Sequence, residues 1–537
     1  MAANGTSHRK ACVRAGALVS CVLLWLTAAG LALAAPQGEQ VVSGDAAFER
    51  NGPDTVIRAA DDTIIEYQSF DIAGDESVRF IQPDELSRVL NRIGGANPTE
   101  IYGSLTANGI VYLVNPGGIY FRDGCLVDVG GIYAAAAQMS NADFLGDVNR
   151  FTDASGEVVN YGTIQGDAVH LVGARAANYG DIAASNGIVT LAAGEDILIG
   201  RVDGRVFARV EGAAAAAQGE AAVENAGEVD ASGGQALLAA GDMYALAIRN
   251  SGHISGEEVT VEGQGEGAVE MTGEVDAPGG TVQVLGDEVR LAGADVDASG
   301  AAGGEVTIGG GVGSDRTSLV EIDGVSVVRA DALGAGDGGL IVVRSDSVSI
   351  QGTLSASPGT GDVANGLIVI DPAQVEIVDG AAGDDVDPAT IEGAMDGGAD
   401  FVVEAEDKIT VTDDVTTTVD NGTTLSLNDE DDPNDTLTID LNDLIALQPG
   451  QTLTGEATTV NVGAGGSLQN GIDVAFGGAT VEAADGTYTE DLAIDKSLTL
   501  QSQNGEGSTT IQLVDGVGIG LEGDADNFTL GGAGSGF

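Results

Sequence analysis

The chain has 537 residues, with 83 acidic side chains against 21 lysines and arginines and a formal net charge of −62. Phosphate contacts need clustered Lys and Arg, so this balance excludes nucleic-acid binding. A hydrophobic fraction of 43% and a mean hydropathy of +0.12 argue against disorder despite the charge.

Arg9, Lys10 and Arg14 precede an apolar run, Ala15 to Ala29, and Ala32-Leu33-Ala34 supplies small residues for cleavage. Residues 1–34 therefore read as a secretory signal peptide cut after Ala34, with an uncleaved anchor as the alternative. No later stretch approaches the ~18 apolar residues of a membrane span. Cleavage removes Cys12 and Cys21, leaving Cys125 alone, so an intramolecular disulfide is impossible and Cys125 reads as a small core residue. It also takes the formal charge to −65, by removing three cations and no acid. Such a field favours solubility and draws divalent cations.

Residues 35–165 form the first mature region. Leu86, Val89, Leu90 and Ile93 fit helical spacing after Pro83-Asp84-Glu85, with a strand as the competing reading. Ile110 to Val114 is a β-branched and aromatic strand. Asn115-Pro116-Gly117-Gly118 is a turn, because Pro presets φ and glycine accepts φ > 0. Ile119-Tyr120-Phe121 resumes the strand. Gly124 to Ile132 follows as Gly-Cys-Leu-Val-Asp-Val-Gly-Gly-Ile.

These motifs resemble the secretion domain of two-partner-secretion exoproteins, the filamentous haemagglutinin family. That family carries a motif close to N-P-N-G-I-x-F followed by G-A-x-V-x-V-G-G-L. Gln68 to Ile72, Gln82-Pro83, Asn91 to Ile93, Ile101 to Leu105 and Ser140 to Leu145 fall in the family's order, and the close resemblance covers residues 40–165. Gly117 stands where the family usually has Asn, and Cys125 where it usually has Ala. Glycine keeps access to left-handed φ, so the turn is expected to survive. The resemblance assigns Asn115, Pro116, Gly117, Gly118, Ile119, Tyr120 and Phe121 a role in secretion, through recognition by a transporter or through holding the first coils together. The Asn115 amide is the expected recognition group.

Residues 166–380 are read as repeats. An N-x-G-x-[IV] signature recurs at Gly162, Gly180, Gly227 and Gly252, and Met271 to Val275 keeps its Gly and aliphatic; these glycines are 18, 47, 25 and 21 residues apart, the 47 reading as about two units, so the unit is twenty-odd residues long. Short strands ending in Gly lie between, such as Val169 to Gly173 and Val189 to Gly194, most with apolar residues at alternate positions. A coil of this size with two or three strands is the signature of a β-solenoid. One coil buries too few aliphatic groups to offset a backbone ordering cost of ~1–2 kcal/mol per residue, so coils must stack. The signature Asn is expected to form a ladder along the stack. The family resemblance adds a right-handed parallel β-helix; the repeats alone do not set the hand.

Residues 381–470 are an acidic, partly irregular β region. Ala381 to Ala399, Asp- and Gly-rich with Pro388, is read as a loop or insertion, and Asp429 to Asp435 as a solvated acidic loop with Ca²⁺ binding as the alternative. Residues 471–537 resemble pectin-lyase-like coils, notably Gly486 to Leu500. The end at Phe537 without a polar cap reads as a truncated exoprotein or an incomplete reading frame.

No catalytic constellation stands out. His170 and His253 are the histidines of the mature chain, each expected to be a solvent-facing coil residue rather than a metal ligand or triad member. Acids are too abundant for a glycosidase pair to be singled out. Gly309-Gly310-Gly311 lacks the strand–loop–helix context of a phosphate cradle. The predicted fold is all-β: a right-handed parallel β-helix (β-solenoid, pectin-lyase-like) with an N-terminal secretion domain. The predicted function is a secreted, non-catalytic, adhesin-like exoprotein with no catalytic residues, metal site or cofactor. Its expected partners are an outer-membrane β-barrel transporter with POTRA domains, host or neighbouring-cell glycans or proteins, and divalent cations. The alternative is a polysaccharide lyase or hydrolase on the same scaffold.

Overall fold

The computed structural model describes residues 35–537 apart from 213–219, 242–244, 311–316, 381–382, 384, 430–435, 515–517, 522–524 and 532–535. The segment read as a signal peptide and most of the acidic run Asp429 to Asp435 thus lie outside the described residues.

The twenty-odd-residue repeats wind into a parallel β-helix with three ladders. The first runs through Ser104–Ala107, Leu126–Asp128, Thr163–Gln165 and Asp181–Ala183 to Thr353–Ser355. The second runs through Ile110–Val114, Gly131–Ala135, Ala168–Gly173 and Ile188–Ala193 to Thr452–Gly455. The third starts at Thr99–Ile101 and reaches Thr529–Leu530. Each strand hydrogen-bonds its counterparts in the coils before and after, at the ~4.8 Å spacing of any sheet. Side chains alternate, so one or two aliphatic positions per strand point inward and stack on their equivalents. Leu105, Val127, Ile164, Ile182, Val229, Ile254, Val275, Val296, Val328 and Leu354 form one such column, all buried.

The expected asparagine ladder is present. Nδ2 of Asn160 donates to Oδ1 of Asn178 (2.8 Å), Asn178 to Asn225 (2.9 Å) and Asn225 to Asn250 (2.8 Å), all four side chains being buried. The signature glycines have a steric cause. A Cβ on Gly180, Gly227, Gly252 or Gly273 would stand 2.1–2.2 Å from the carbonyl oxygen of the signature glycine one coil earlier.

Two antiparallel additions modify the helix. At the start, Gln40–Ser43 pairs with Thr63–Tyr67, and Ala46–Asn51 with Asp54–Ala59. Further on, Asp196–Val202 and Arg205–Glu211 form a hairpin that Asn149–Phe151 joins. The hairpin is inserted within one coil, since Asp181–Ala183 pairs directly with Glu228–Ala240, so the 47 residues from Gly180 to Gly227 are one unit rather than the two expected. Its turn, Asp203-Gly204, has both φ positive (53° and 89°), as a tight two-residue hairpin requires. This three-stranded lid lies on the outer face of the second ladder. Ile197, Ile199, Ala208 and Val210 from the lid, with Phe144 of the helix Asn141–Leu145, bury Tyr112, Val114, Val172, Ala192 and Leu237. Strands such as Ile188–Ala193 are consequently buried on both faces, unlike the one-sided burial predicted.

Local departures from the sequence reading have clear causes. Arg88–Ile93 is a strand rather than a helix, because it pairs with Thr63–Tyr67 and Ile110–Val114. The stretch read as a loop at 381–399 contains the helix Pro388–Asp396. Asp387 caps it by accepting from the Ala389 N–H, and Pro388 occupies the first turn, where its missing N–H costs nothing. Ile391, Ala394 and Met395 bury its inner face, and the helix packs against Thr353–Ser355 and Ala399–Ala405.

Candidate functional site: the turn from Asn115 to Phe121

The turn carries the chain from the second ladder to the third. Asn115 is fully buried and spends its amide internally: Nδ2 donates to the Asn97 carbonyl (3.1 Å) and the Thr99 hydroxyl (3.0 Å), and Oδ1 accepts from the Gly117 N–H (2.9 Å). In the folded domain this amide is therefore occupied by bonds within the chain. Short side chains of the coils on either side clamp the turn. The Ser155 hydroxyl donates to the Pro116 carbonyl, and a Cβ on Gly156 would meet that same oxygen at 2.6 Å.

Gly118, not Gly117, carries the positive φ, at 111°. The left-handed freedom expected at position 117 is thus needed one residue later. Gly117 is exposed and Pro116 half-buried. Ile119 and Phe121 point into the core, and Tyr120 points outward.

Tyr120 anchors a polar network that crosses several coils. Its hydroxyl donates to Glu157 (2.6 Å), and Arg122 lies over its ring (4.4 Å) while gripping Glu100 through Nε and Nη2 (2.7 and 2.8 Å). Arg175 extends the network to Glu157 and Glu224. Burial and the Glu157 hydrogen bond push the Tyr120 hydroxyl up to about 12. The Arg122 guanidinium holds Glu100 below its usual range. Nothing at sequence level pairs Arg122 with Glu100 or Tyr120 with Glu157; the coil register does.

The other landmarks are mostly interior. Phe70 and Ile72 are buried, Asn91 Nδ2 donates to the Tyr112 carbonyl (3.2 Å), and Gln82 and Asn108 exchange backbone-to-amide bonds (2.8 and 2.9 Å). Cys125 is buried, as expected, and its thiol is pushed up to about 11 by burial. His170 is not solvent-facing: it lies buried beneath the lid, stacked on Tyr133 (4.2 Å), because its ladder position points outward where the lid covers it. His253 is half-buried between Glu228 (2.8 Å) and Asp276 (2.9 Å).

Residues 33–275 match the family model described as the TPS secretion domain. The chain carries a TPS secretion domain. The match includes the turn and runs on through the lid and the asparagine ladder. Over 189 residues the chain is 34% identical to the heme/hemopexin-binding protein of Haemophilus influenzae (strain ATCC 51907 / DSM 11121 / KW20 / Rd), which covers 33% of this chain and 21% of the relative. A second heme/hemopexin-binding protein from Haemophilus influenzae is 33% identical over 141 residues, 25% of this chain and 15% of that protein. The chain thus spans about a fifth or less of the length of the curated relatives it matches. The crystal structure of the HMW1 secretion domain from Haemophilus influenzae superposes with a TM-score of 0.57 at 28% identity, covering 65% of this chain and 97% of that one. A TPS secretion domain marks an exoprotein that passes through the periplasm and is secreted to the cell surface.

Proposed function

We propose that the chain is an adhesin-like exoprotein whose TPS secretion domain engages an outer-membrane β-barrel transporter with periplasmic POTRA domains. The observation that carries this reading is the family match over residues 33–275, which contains the whole Asn115 to Phe121 turn. Within it the turn serves as a coil junction. Its side chains join Asn97 and Thr99 to Ser155 and Glu157, so its role in export lies in closing the first coils, and each completed coil templates the next.

Beyond the secretion domain the solenoid is a rigid acidic stalk, and its exposed turns are the surfaces that meet host or neighbouring-cell proteins or glycans. The name of these relatives, heme/hemopexin-binding protein, favours a protein target of that kind. Divalent cations are proposed to stabilise the stalk diffusely, by neutralising its carboxylates. The reading is non-catalytic, and no relative's name favours the lyase or hydrolase alternative.

The test is expression of the full chain in a Gram-negative host with and without a cognate two-partner-secretion transporter. The chain is expected in the medium or on the surface only when the transporter is present. Equal secretion without it overturns the reading.

A further inference from the structure

His170 occupies an unusual place for a titratable group. It projects from Ala168–Gly173 onto the outer face of the second ladder, in register between Tyr133 and Thr190. Tyr112, Tyr133 and His170 stack as a column, with ring centroids 4.4 and 4.2 Å apart. The lid closes over this column, and Asn149 of the lid ties it down: Tyr112 donates to Asn149 Oδ1 (2.8 Å), and Asn149 Nδ2 donates to the Tyr133 hydroxyl (3.2 Å). His170 Nδ1 and Thr190 Oγ1 are both buried there without a hydrogen-bond partner.

The surroundings offer no counter-charge. The lid hairpin contributes Arg201, which disfavours a second cation. The ladder contributes the two tyrosines. Arg88 and Asp147 act on the tyrosines, and Arg88 is already ion-paired with Asp62 and Asp147. At the hairpin tip Arg205 pairs with Glu258 (3.0 Å), and beyond the lid edge Glu262 is bonded to Gln264. Among the described residues no carboxylate bonds to the His170 ring. Burial and Arg201 push its pKa down to about 3.

We propose that the three-stranded lid opens under acid, with neutral His170 as its latch. A proton on the ring is an unpaired charge in an apolar interface, and lifting the lid is the movement that hydrates it. The β-helix beneath does not depend on the lid, because its inward columns belong to a separate core. Opening uncovers the apolar outer face around Tyr112, Val172, Ala192 and Leu237.

The test uses the mature chain. Hydrogen exchange, corrected for intrinsic rates, is followed for lid amides in Asp196–Glu211 and for solenoid amides in Leu340–Arg344. Lid protection is expected to fall about tenfold per pH unit from pH 6 to 4.5, the slope of one proton taken up on opening. Solenoid protection should hold. His170→Phe keeps the stack and should flatten the lid slope. Residues 35–537 contain two histidines, so a histidine-labelled NMR titration of the wild type reports directly. His170 should stay neutral through pH 5. A His170 that titrates near 6.5 with the lid closed, a pH-independent lid, or an unchanged slope in His170→Phe overturns the proposal.

Discussion

Replacing Asn178 by alanine removes the middle rung of the asparagine ladder. Asn178 Oδ1 accepts from Asn160 Nδ2 (2.8 Å) and from the Gly180 N–H (3.3 Å), while its Nδ2 donates to Asn225 Oδ1 (2.9 Å) and the Glu228 carbonyl (3.1 Å). Asn160 keeps other acceptors, the Gly162 and Asp181 carbonyls. Asn225 Oδ1, fully buried, and the half-buried Gly180 N–H lose the partners that Asn178 supplied. A stranded buried group costs ~1–3 kcal/mol, and the half-buried Gly180 N–H counts at the low end, about 1 kcal/mol, so the two together predict a loss of about 2–4 kcal/mol. Asn178→Asp should be worse, because it turns a carboxylate oxygen toward two acceptors. Urea unfolding followed by far-UV circular dichroism measures the shift in midpoint. Solenoids do not unfold strictly as one unit, so exchange of the amides in Arg175–Asn178 should accompany it. Asn504→Ala, whose amide bonds Asp485 at the surface, is the control and should stay within ~0.5 kcal/mol. An Asn178→Ala midpoint indistinguishable from that control refutes the view that the ladder holds the coils.

Asn115→Ala strands the buried Thr99 hydroxyl and should cost ~1–3 kcal/mol in the same unfolding assay. Gly118→Ala forces a Cβ into a φ of 111°, 3.2 Å from the Glu157 carbonyl, and should destabilise more than Gly117→Ala; the reverse order would refute the turn geometry. His253 should show a pH dependence opposite to that of the lid. Burial opposes its charge, but the bonds to Glu228 and Asp276 prevail and raise its pKa. Its stabilisation is therefore complete below the unfolded pKa of ~6.5 and lost as pH rises through the raised folded value. His253→Gln should remove that loss in thermal melts across pH 6 to 8. Cys125, buried and pushed up to about 11, should react with a thiol reagent at pH 8 only after denaturant is added; rapid reaction in the native state would contradict its burial.

The solenoid was legible because its rules act one coil at a time. Each coil needs an inward aliphatic on each strand, a glycine where the next backbone passes within reach of a Cβ, and an asparagine to bond its successor. The aliphatics and glycines recur from coil to coil as far as Gly273 and the asparagines as far as Asn250, with only the interval between Gly180 and Gly227 lengthened, by the inserted lid. The turn from Asn115 to Phe121 was legible as a motif for the same local reason. Its physical role was not, since Asn97, Thr99, Ser155 and Glu157 reach it only through the coil register. The helix Pro388–Asp396 had a local signal, Asp-Pro, which the surrounding Asp and Gly obscured. The lid left traces too: the Asp203-Gly204 turn, and the apolar residues on both faces of strands such as Ile188–Ala193. Yet its alternating strands read like any other coil. Whether such a strand adds to the stack or folds back over it depends on which apolar face is left uncovered, and that is set by residues from Tyr112 to Leu237. Sequence thus determined the repeating unit, whereas tertiary structure alone decided that His170 is buried, because burial there depends on the distant segment that covers it.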